Sequence, residues 1–242
     1  MKLQQLLSYT RRAVDDYNMI QEGDKIAIGI SGGKDSLTLL YALKNLQRFY
    51  PEKFDLVAVT VNLGYETFCL DRIRALCEEM DVPYYVVDTD IAKIIFEERK
   101  ESSPCSLCAK MRKGALNKMV KELNCNKVAY AHHKDDIVET MLLSLIYEGR
   151  FYSFSPVTYL DRMELTVIRP LMYVPEVDII GFNNKYQLPV EKNPCPSDGF
   201  TKREYIKQLL RQLNIDNPGV KDRMFTAIVN GKIPGWPDIN PR

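Results

Sequence analysis

Short apolar runs alternate along this chain with stretches whose apolar residues return at helical spacing. Lys25–Ile30 (KIAIGI) has the length and character of a buried strand, and Phe54–Val61 (FDLVAVTV) is a second. Pro83–Val87 (PYYVV) reads as a third, Val128–Ala131 (VAYA) as a fourth, and Thr166–Ile168, closed by Arg169-Pro170, as a fifth. Between the first two, Leu37, Leu39, Leu40, Leu43 and Leu46 recur on one helical face. The same logic predicts helices over Glu66–Met80 and Asp135–Tyr147. The segment Thr89–Lys127 carries a charged helix, Ile94–Glu101, then Ser102-Ser103-Pro104, then a second helix. At the N-terminus, Leu3, Leu6, Leu7 and Ile20 stand among charges as an amphipathic helix. From Glu176 onward the pattern is helical, most clearly over Phe200–Leu213, and the Pro- and Gly-rich tail Ile233–Arg242 reads as irregular.

Strands alternating with helices imply parallel βαβ units, so the expected fold is α/β, an open doubly wound parallel sheet with helical additions. The expected organisation is an N-terminal helix (1–20), a nucleotide-binding α/β domain (21–175) and a C-terminal helical extension (176–242). At 242 residues, 45% hydrophobic, the chain can bury a sizeable core. No run of about 18 apolar residues is present, and the first residues lack the apolar stretch of a secretory leader, so no membrane segment and a cytoplasmic location are expected. Net charge is +1, so any polyanion must be met by a local patch rather than by the field of the whole molecule.

The first strand runs directly into Ser31-Gly32-Gly33-Lys34-Asp35-Ser36, which opens a helix. That arrangement turns backbone N–H groups and a helix N-terminus toward an anion, with the Lys34 charge and the Ser31 and Ser36 hydroxyls beside it. A Walker A loop would need glycine at Ile28 and Ser or Thr at Asp35, and fails twice. The dinucleotide fingerprint fails on the spacing of Gly29, Gly32 and Gly33. The hexapeptide resembles instead the PP-loop of N-type ATP pyrophosphatases, which implies ATP cleaved to AMP and pyrophosphate. In a parallel sheet the ligand crevice lies beyond the carboxyl ends of the strands. Val61, Ala131 and His132 sit at such ends and join the six loop residues as candidate nucleotide contacts.

Cys105-Ser106-Leu107-Cys108 begins a helix, so both sulfurs share a face. A four-ligand zinc site would want a second such pair, and none exists; a redox pair and an iron–sulfur site both remain open. Cys195, in Asn193-Pro194-Cys195-Pro196, is the candidate third thiolate. Cys69 and Cys77, expected in a helix, and Cys125, near a turn, read as packing residues. Ala131-His132-His133-Lys134-Asp135-Asp136 ends the fourth strand and opens a helix; its carboxylates could hold Mg²⁺ or take a proton, or only favour the helix N-terminus. Two basic sets, Lys110, Arg112, Lys113 and Lys118 and then Lys202, Arg203, Lys207 and Arg211, are either solvated faces or a patch for a phosphodiester backbone.

SGGKDS at Ser31–Ser36, PCSLCAKMRKGAL at Pro104–Leu116, AHHKDDIVETMLLSLIYEG at Ala131–Gly149, IRPL at Ile168–Leu171 and the late Asn193-Pro-Cys-Pro occur here in one order. Together they resemble the tRNA 2-thiocytidine synthetase family over nearly the whole chain. The resemblance implies an adenine nucleotide alpha hydrolase-like sheet and adenylation of C2 of a pyrimidine in tRNA with ATP and Mg²⁺. Sulfur then replaces the oxygen, with a 4Fe–4S cluster on Cys105, Cys108 and Cys195. It also implies that Asp135 and Asp136 are the acidic pair of the reaction centre, with Arg112 a basic residue beside it. The implied partners are tRNA and a sulfur donor, a cysteine desulfurase or free sulfide. The N-terminal helix is a candidate homodimer contact or a cap on the sheet. A second cysteine shortly after the third ligand, frequent in that family, is missing. The alternatives are 2-thiouridine synthesis, lysidine-like amine transfer with a structural metal site, and an ATP-binding module that is not an enzyme.

Overall fold

The computed structural model describes residues 1–65, 68–99, 104–192, 194–195, 201–231 and 233–239. The chain runs α1 (Leu3–Asp16), β1 (Asp24–Gly29), α2 (Lys34–Gln47), β2 (Phe54–Asn62), α3 (Asp71–Glu79), β3 (Tyr84–Asp88) and α4 (Ile91–Lys93). It continues through a π-helical turn, Ile94–Glu98, to α5 (Pro104–Glu122), β4 (Lys127–Ala129), α6 (Lys134–Glu148), β5 (Val157–Leu160) and β6 (Leu165–Ile168). Three helices follow, α7 (Glu176–Tyr186), α8 (Lys202–Asp216) and α9 (Val220–Asn230).

Among the described residues these strands form one six-stranded sheet, ordered β3-β2-β1-β4-β6-β5. Every pairing is parallel except β5 with β6, which is antiparallel. The sheet is therefore mixed, with an edge hairpin where a purely parallel sheet was expected. β1 pairs with β2 on one side and β4 on the other, so the strand order reverses at β1. A crevice opens at such a reversal beyond the strand ends, and the Ser31–Ser36 loop leaves β1 at that point.

Alternation along the strands divides the interior into two faces. Ile26 and Ile28 of β1 and Leu56 and Ala58 of β2 point into the larger core, with Leu37, Leu40 and Leu43 of α2. That same core takes Ile179 and Phe182 of α7, Ile206 and Leu210 of α8 and Phe225 and Ile228 of α9, so the C-terminal helices are built onto the sheet. Ala27, Val57, Val59, Val128 and Val167 point the other way, against Leu116 and Val120 of α5. α5 is thereby held across the crevice with its first turn, which carries Cys105 and Cys108, near the strand ends.

Several boundaries differ from the sequence reading. Ile20 lies beyond α1 but is buried in the core. Residues 66 and 67, the start of the predicted second helix, lie outside the described residues; α3 begins at Asp71, so Cys69 precedes it and is exposed. The predicted charged helix is a short α4 continued by a π-turn, with 100–103 outside the described residues. Phe200 also lies outside them, and the late helix runs Lys202–Asp216 under a Thr201 cap, whose hydroxyl accepts from the Glu204 amide.

Candidate active site

The loop after β1 is closed by its own hydroxyls. Ser36 Oγ accepts from the Ser31 amide at 3.2 Å and donates to the Gly33 carbonyl at 2.9 Å. Gly32 sits at φ +78°, and a Cβ there would meet the Phe68 ring at 3.0 Å, so glycine is required twice over. The Gly32 carbonyl accepts from the Glu191 amide at 2.9 Å, which lays the segment leading to Cys195 across the loop. Lys34 Nζ contacts Asp35 at 3.0 Å and Glu176 of α7 at 3.1 Å. Burial works against its charge, but those two carboxylates outweigh burial and raise its pKa above the ordinary lysine value.

Two depressions meet over this loop. The smaller is lined by Ser31, Gly33, Val61, Asn62, Leu63 and Phe68, with Tyr65, Arg112 and Pro194 at its border. The larger, about 630 Å³, holds Ser31, Asp35 and Ser36, Ala131 and His132 after β4, Asp136 of α6, Arg112 of α5, Arg169 and Arg203. Ser31, Val61 and Arg112 line both, so Arg112 stands at the junction.

The neighbouring aspartates part company. Asp136 lines the larger cleft; its other face takes Arg203 at 3.2 Å and completes a capping box with His133 at the start of α6. Asp135 turns away. One oxygen meets Lys221 of α9 at 2.7 Å and the other accepts from the Glu176 amide at the start of α7 at 2.8 Å. Burial would raise the Asp135 pKa, but Lys221 and that amide together bring it below the usual carboxylate value.

Sequence reasoning missed an ionic ladder along one wall. Glu176 takes Lys34 and Lys207, each at 3.1 Å; Glu139 takes Arg203 at 3.1 Å and Lys207 at 3.9 Å. Burial alone would raise Glu176, but Lys34 and Lys207 hold it at about 2. Glu139 is 2% exposed, and burial, with Asp136 nearby, pushes it up to about 7 against the pull of Lys207 and Arg203. Arg203 thus lines the cleft and Lys207 bridges Glu139 and Glu176 behind it, whereas Lys202 of the same helix lies over the Tyr147 ring at 4.6 Å. In the other basic set Arg112 and Lys113 line the cleft, while Lys118 is largely exposed and paired with Glu122. His132 is driven to about 4, first by burial and then by Arg169, and so is neutral near pH 7.

Pro194, next to Cys195, and Arg112, one helical turn beyond Cys108, line the smaller depression. Cys105 is exposed, Cys108 and Cys195 are partly buried, and none of the three is in a disulfide. Burial raises the Cys108 pKa, Arg112 lowers it, and Cys195 and Cys105 raise it further, so both of those sulfurs lie within electrostatic reach of Cys108. The Tyr65 hydroxyl bonds to Cys195 and feels Cys108 and Arg112. Among the described residues no three His, Cys, Asp or Glu side chains are drawn up close enough to hold a metal ion. In donor chemistry, three cysteine thiols outside any disulfide, with one arginine nearby, fit a three-thiolate iron–sulfur group. No helix among the described residues is long and apolar enough to cross a membrane.

A family model described as a PP-loop domain matches residues 3–213. The tRNA-cytidine(32) 2-sulfurtransferase of Geobacter sulfurreducens is 42% identical over 222 residues, covering 90% of this chain and 86% of that protein. Among solved structures, the U34-tRNA thiolase of Methanococcus maripaludis, held with its 4Fe–4S cluster, superposes with a TM-score of 0.73 at 25% identity, covering 91% of this chain and 76% of that one. The NH3-dependent NAD synthetase of Campylobacter jejuni shares the fold, with a TM-score of 0.52 at 16% identity over 95% of this chain and 93% of that one. The chain belongs to the PP-loop domain family and, within it, to the tRNA-cytidine 2-sulfurtransferases, enzymes that thiolate tRNA.

Proposed function

We propose that this chain uses ATP to adenylate the C2 carbonyl oxygen of a cytidine in a tRNA anticodon loop and then replaces that oxygen by sulfur. Family membership supports the coarse statement, tRNA thiolation by a PP-loop enzyme. The observation that supports the finer reading is that Arg112 lines the cleft with the loop and Asp136 and also acts on Cys108, which in turn feels Cys105 and Cys195.

In this reading the smaller depression takes the adenosine, between Val61, Asn62 and Phe68, and the loop takes the phosphates. The base oxygen attacks the α-phosphorus, and the bond to pyrophosphate breaks. Backbone N–H groups of the loop, the Ser31 and Ser36 hydroxyls and Lys34 receive the departing charge. Asp35 and Asp136 are the cleft carboxylates that would hold Mg²⁺ against the phosphates. Hydrosulfide, the second substrate, comes from free sulfide, or from the persulfide of a cysteine desulfurase once thiols have reduced it and been oxidised to a disulfide. It adds to C2, the C2–O bond breaks, AMP leaves, and Asp136 is placed to take the sulfur's proton. Cys105, Cys108 and Cys195 would hold the 4Fe–4S cluster. When bound, the cluster supplies an iron position free of protein ligand at which sulfur can be carried. Arg112, between adenosine and thiols, orients the incoming and leaving anions.

The test is stoichiometric. The anaerobic protein, loaded with iron and sulfide, is given substrate tRNA, ATP, Mg²⁺ and sulfide, and AMP and 2-thiocytidine are counted. Equal amounts of both are expected. ADP in place of AMP, or AMP without thiolated base, would contradict the reading.

A further inference from the structure

Arg169 is a buried cation without a counter-ion among the described residues. It directly follows β6, is 8% exposed, and lines the larger cleft. Its Nε donates to His132 Nδ1 at 3.2 Å, and its Nη1 donates to the Ser155 carbonyl and to Thr158 Oγ1 at 3.3 Å. The guanidinium lies over the Phe154 ring at 4.9 Å, and His132 stacks on the same ring at 4.3 Å. Among the described residues no carboxylate pairs with it, and burial weakens its hold on the proton, bringing its pKa down to about 10. A charge held this way is costly unless something supplies the opposite sign. Every bond named uses Nε or Nη1, which leaves the two Nη2 hydrogens without a protein acceptor among the described residues. Because His132 Nδ1 accepts, its proton sits on Nε2, a second donor beside the cleft.

The other cleft arginines are committed, Arg203 to Asp136 and Glu139, and Arg112 to the thiol side. In the sheet order Arg169 follows β6, across β1 from the Val61–Leu63 mouth. If adenosine takes that mouth, as proposed above, Arg169 stands on the acceptor side of the phosphate loop. The geometry points to Arg169, oriented by His132, Thr158 and Phe154, as the receptor for a phosphodiester of the RNA backbone next to the target base. The chemistry is that of a phosphate oxyanion, which ATP could also supply, and the experiment separates the two sources. The inference rests on the functional reading for the identity of its ligand.

Binding of tRNA to the full chain is measured across a KCl series for the parent, Arg169→Gln and Arg169→Lys, alongside equilibrium dialysis of ATP with Mg²⁺. Arg169→Gln should bind tRNA about tenfold more weakly, with a salt slope shallower by roughly 0.7–0.9, the loss of one phosphate contact, and with ATP affinity unchanged. Arg169→Lys keeps the charge but not the planar fork, so its slope should stay at the parental value while affinity falls severalfold. An unchanged tRNA affinity and slope in Arg169→Gln, or a loss confined to ATP, overturns the inference. Should Arg169→Gln fail to fold, Arg169→Lys decides alone, and parental tRNA affinity in it overturns the inference. A parent chain that binds no tRNA would instead sink the functional reading.

Discussion

Asp135 and Asp136 are neighbours with the same chemistry and different work. Asp135 ties α6 to α7 and α9 through the Glu176 amide and Lys221. Asp136 keeps its carboxylate on the cleft. Removing one partner of a largely buried pair leaves the other uncompensated. Asp135→Asn should therefore cost about 2 kcal/mol in chemical denaturation, a figure reduced because Lys221 is a third exposed, with thiolation per folded molecule much less affected. Asp136→Asn should keep parental stability within about 1 kcal/mol and lose roughly 10²–10⁴-fold in thiolation rate, the scale of a lost proton acceptor. Parallel effects of both on rate would refute the division. A sequence can place both residues at a strand end, but only packing shows which one a lysine of a distant helix has claimed. The sequence shows Arg169 as the close of a strand and as part of the Ile168–Leu171 segment, but nothing in Ile168-Arg169-Pro170 shows that its guanidinium lies over the Phe154 ring with no carboxylate beside it among the described residues.

At the scale of elements, α8 is joined to the phosphate loop through charge. Lys207 shares Glu176 with Lys34 and reaches Glu139, which also holds Arg203. The two acids titrate in opposite senses. Glu139 is raised in the fold to about 7 from an ordinary glutamate value of 4.5, so the folded state holds its proton more tightly. Its contribution is full below pH about 4.5 and is lost as pH rises through 7. Glu176 is lowered to about 2, so its contribution is present above pH about 4.5 and lost as pH falls toward 2. Glu139→Gln should therefore gain stability relative to the parent as pH rises from 5 to 8, whereas Glu176→Gln should lose most above pH 5 and least near pH 2. Urea midpoints across that range check both signs. The parallel βαβ core was legible because buried parallel strands are continuous apolar runs set directly before helical periodicity. The β5–β6 hairpin was not: Val157–Leu160 is four residues long and only partly buried, too short for a period to show. Nor could periodicity turn the exposed-looking Arg203 and Lys207 inward; that depends on where α6 and α7 bring Glu139 and Glu176.

At the scale of the whole molecule, two chain-distant features converge on one crevice. The Cys105-x-x-Cys108 pair comes from the crossover between β3 and β4, and Cys195 from the segment that the Glu191 amide pins onto the loop. Their spacing in sequence leaves a metal centre as one of several readings; that Cys195 and Cys108 both face Tyr65 and Arg112 is a product of tertiary structure. Protein purified and reconstituted without oxygen should carry about four irons per chain, and Cys195→Ala less than half of that, by iron and sulfide analysis. Full iron in Cys195→Ala would remove that residue from the ligand set.

The most direct measurement is mass spectrometry of tRNA nucleosides from cells with and without this gene, and from cells complemented by the parent or by Asp136→Asn. Loss of 2-thiocytidine on deletion, restored by the parent and not by Asp136→Asn, is the predicted result. Unchanged 2-thiocytidine, with another thiolated or lysine-bearing base missing in its place, would contradict it.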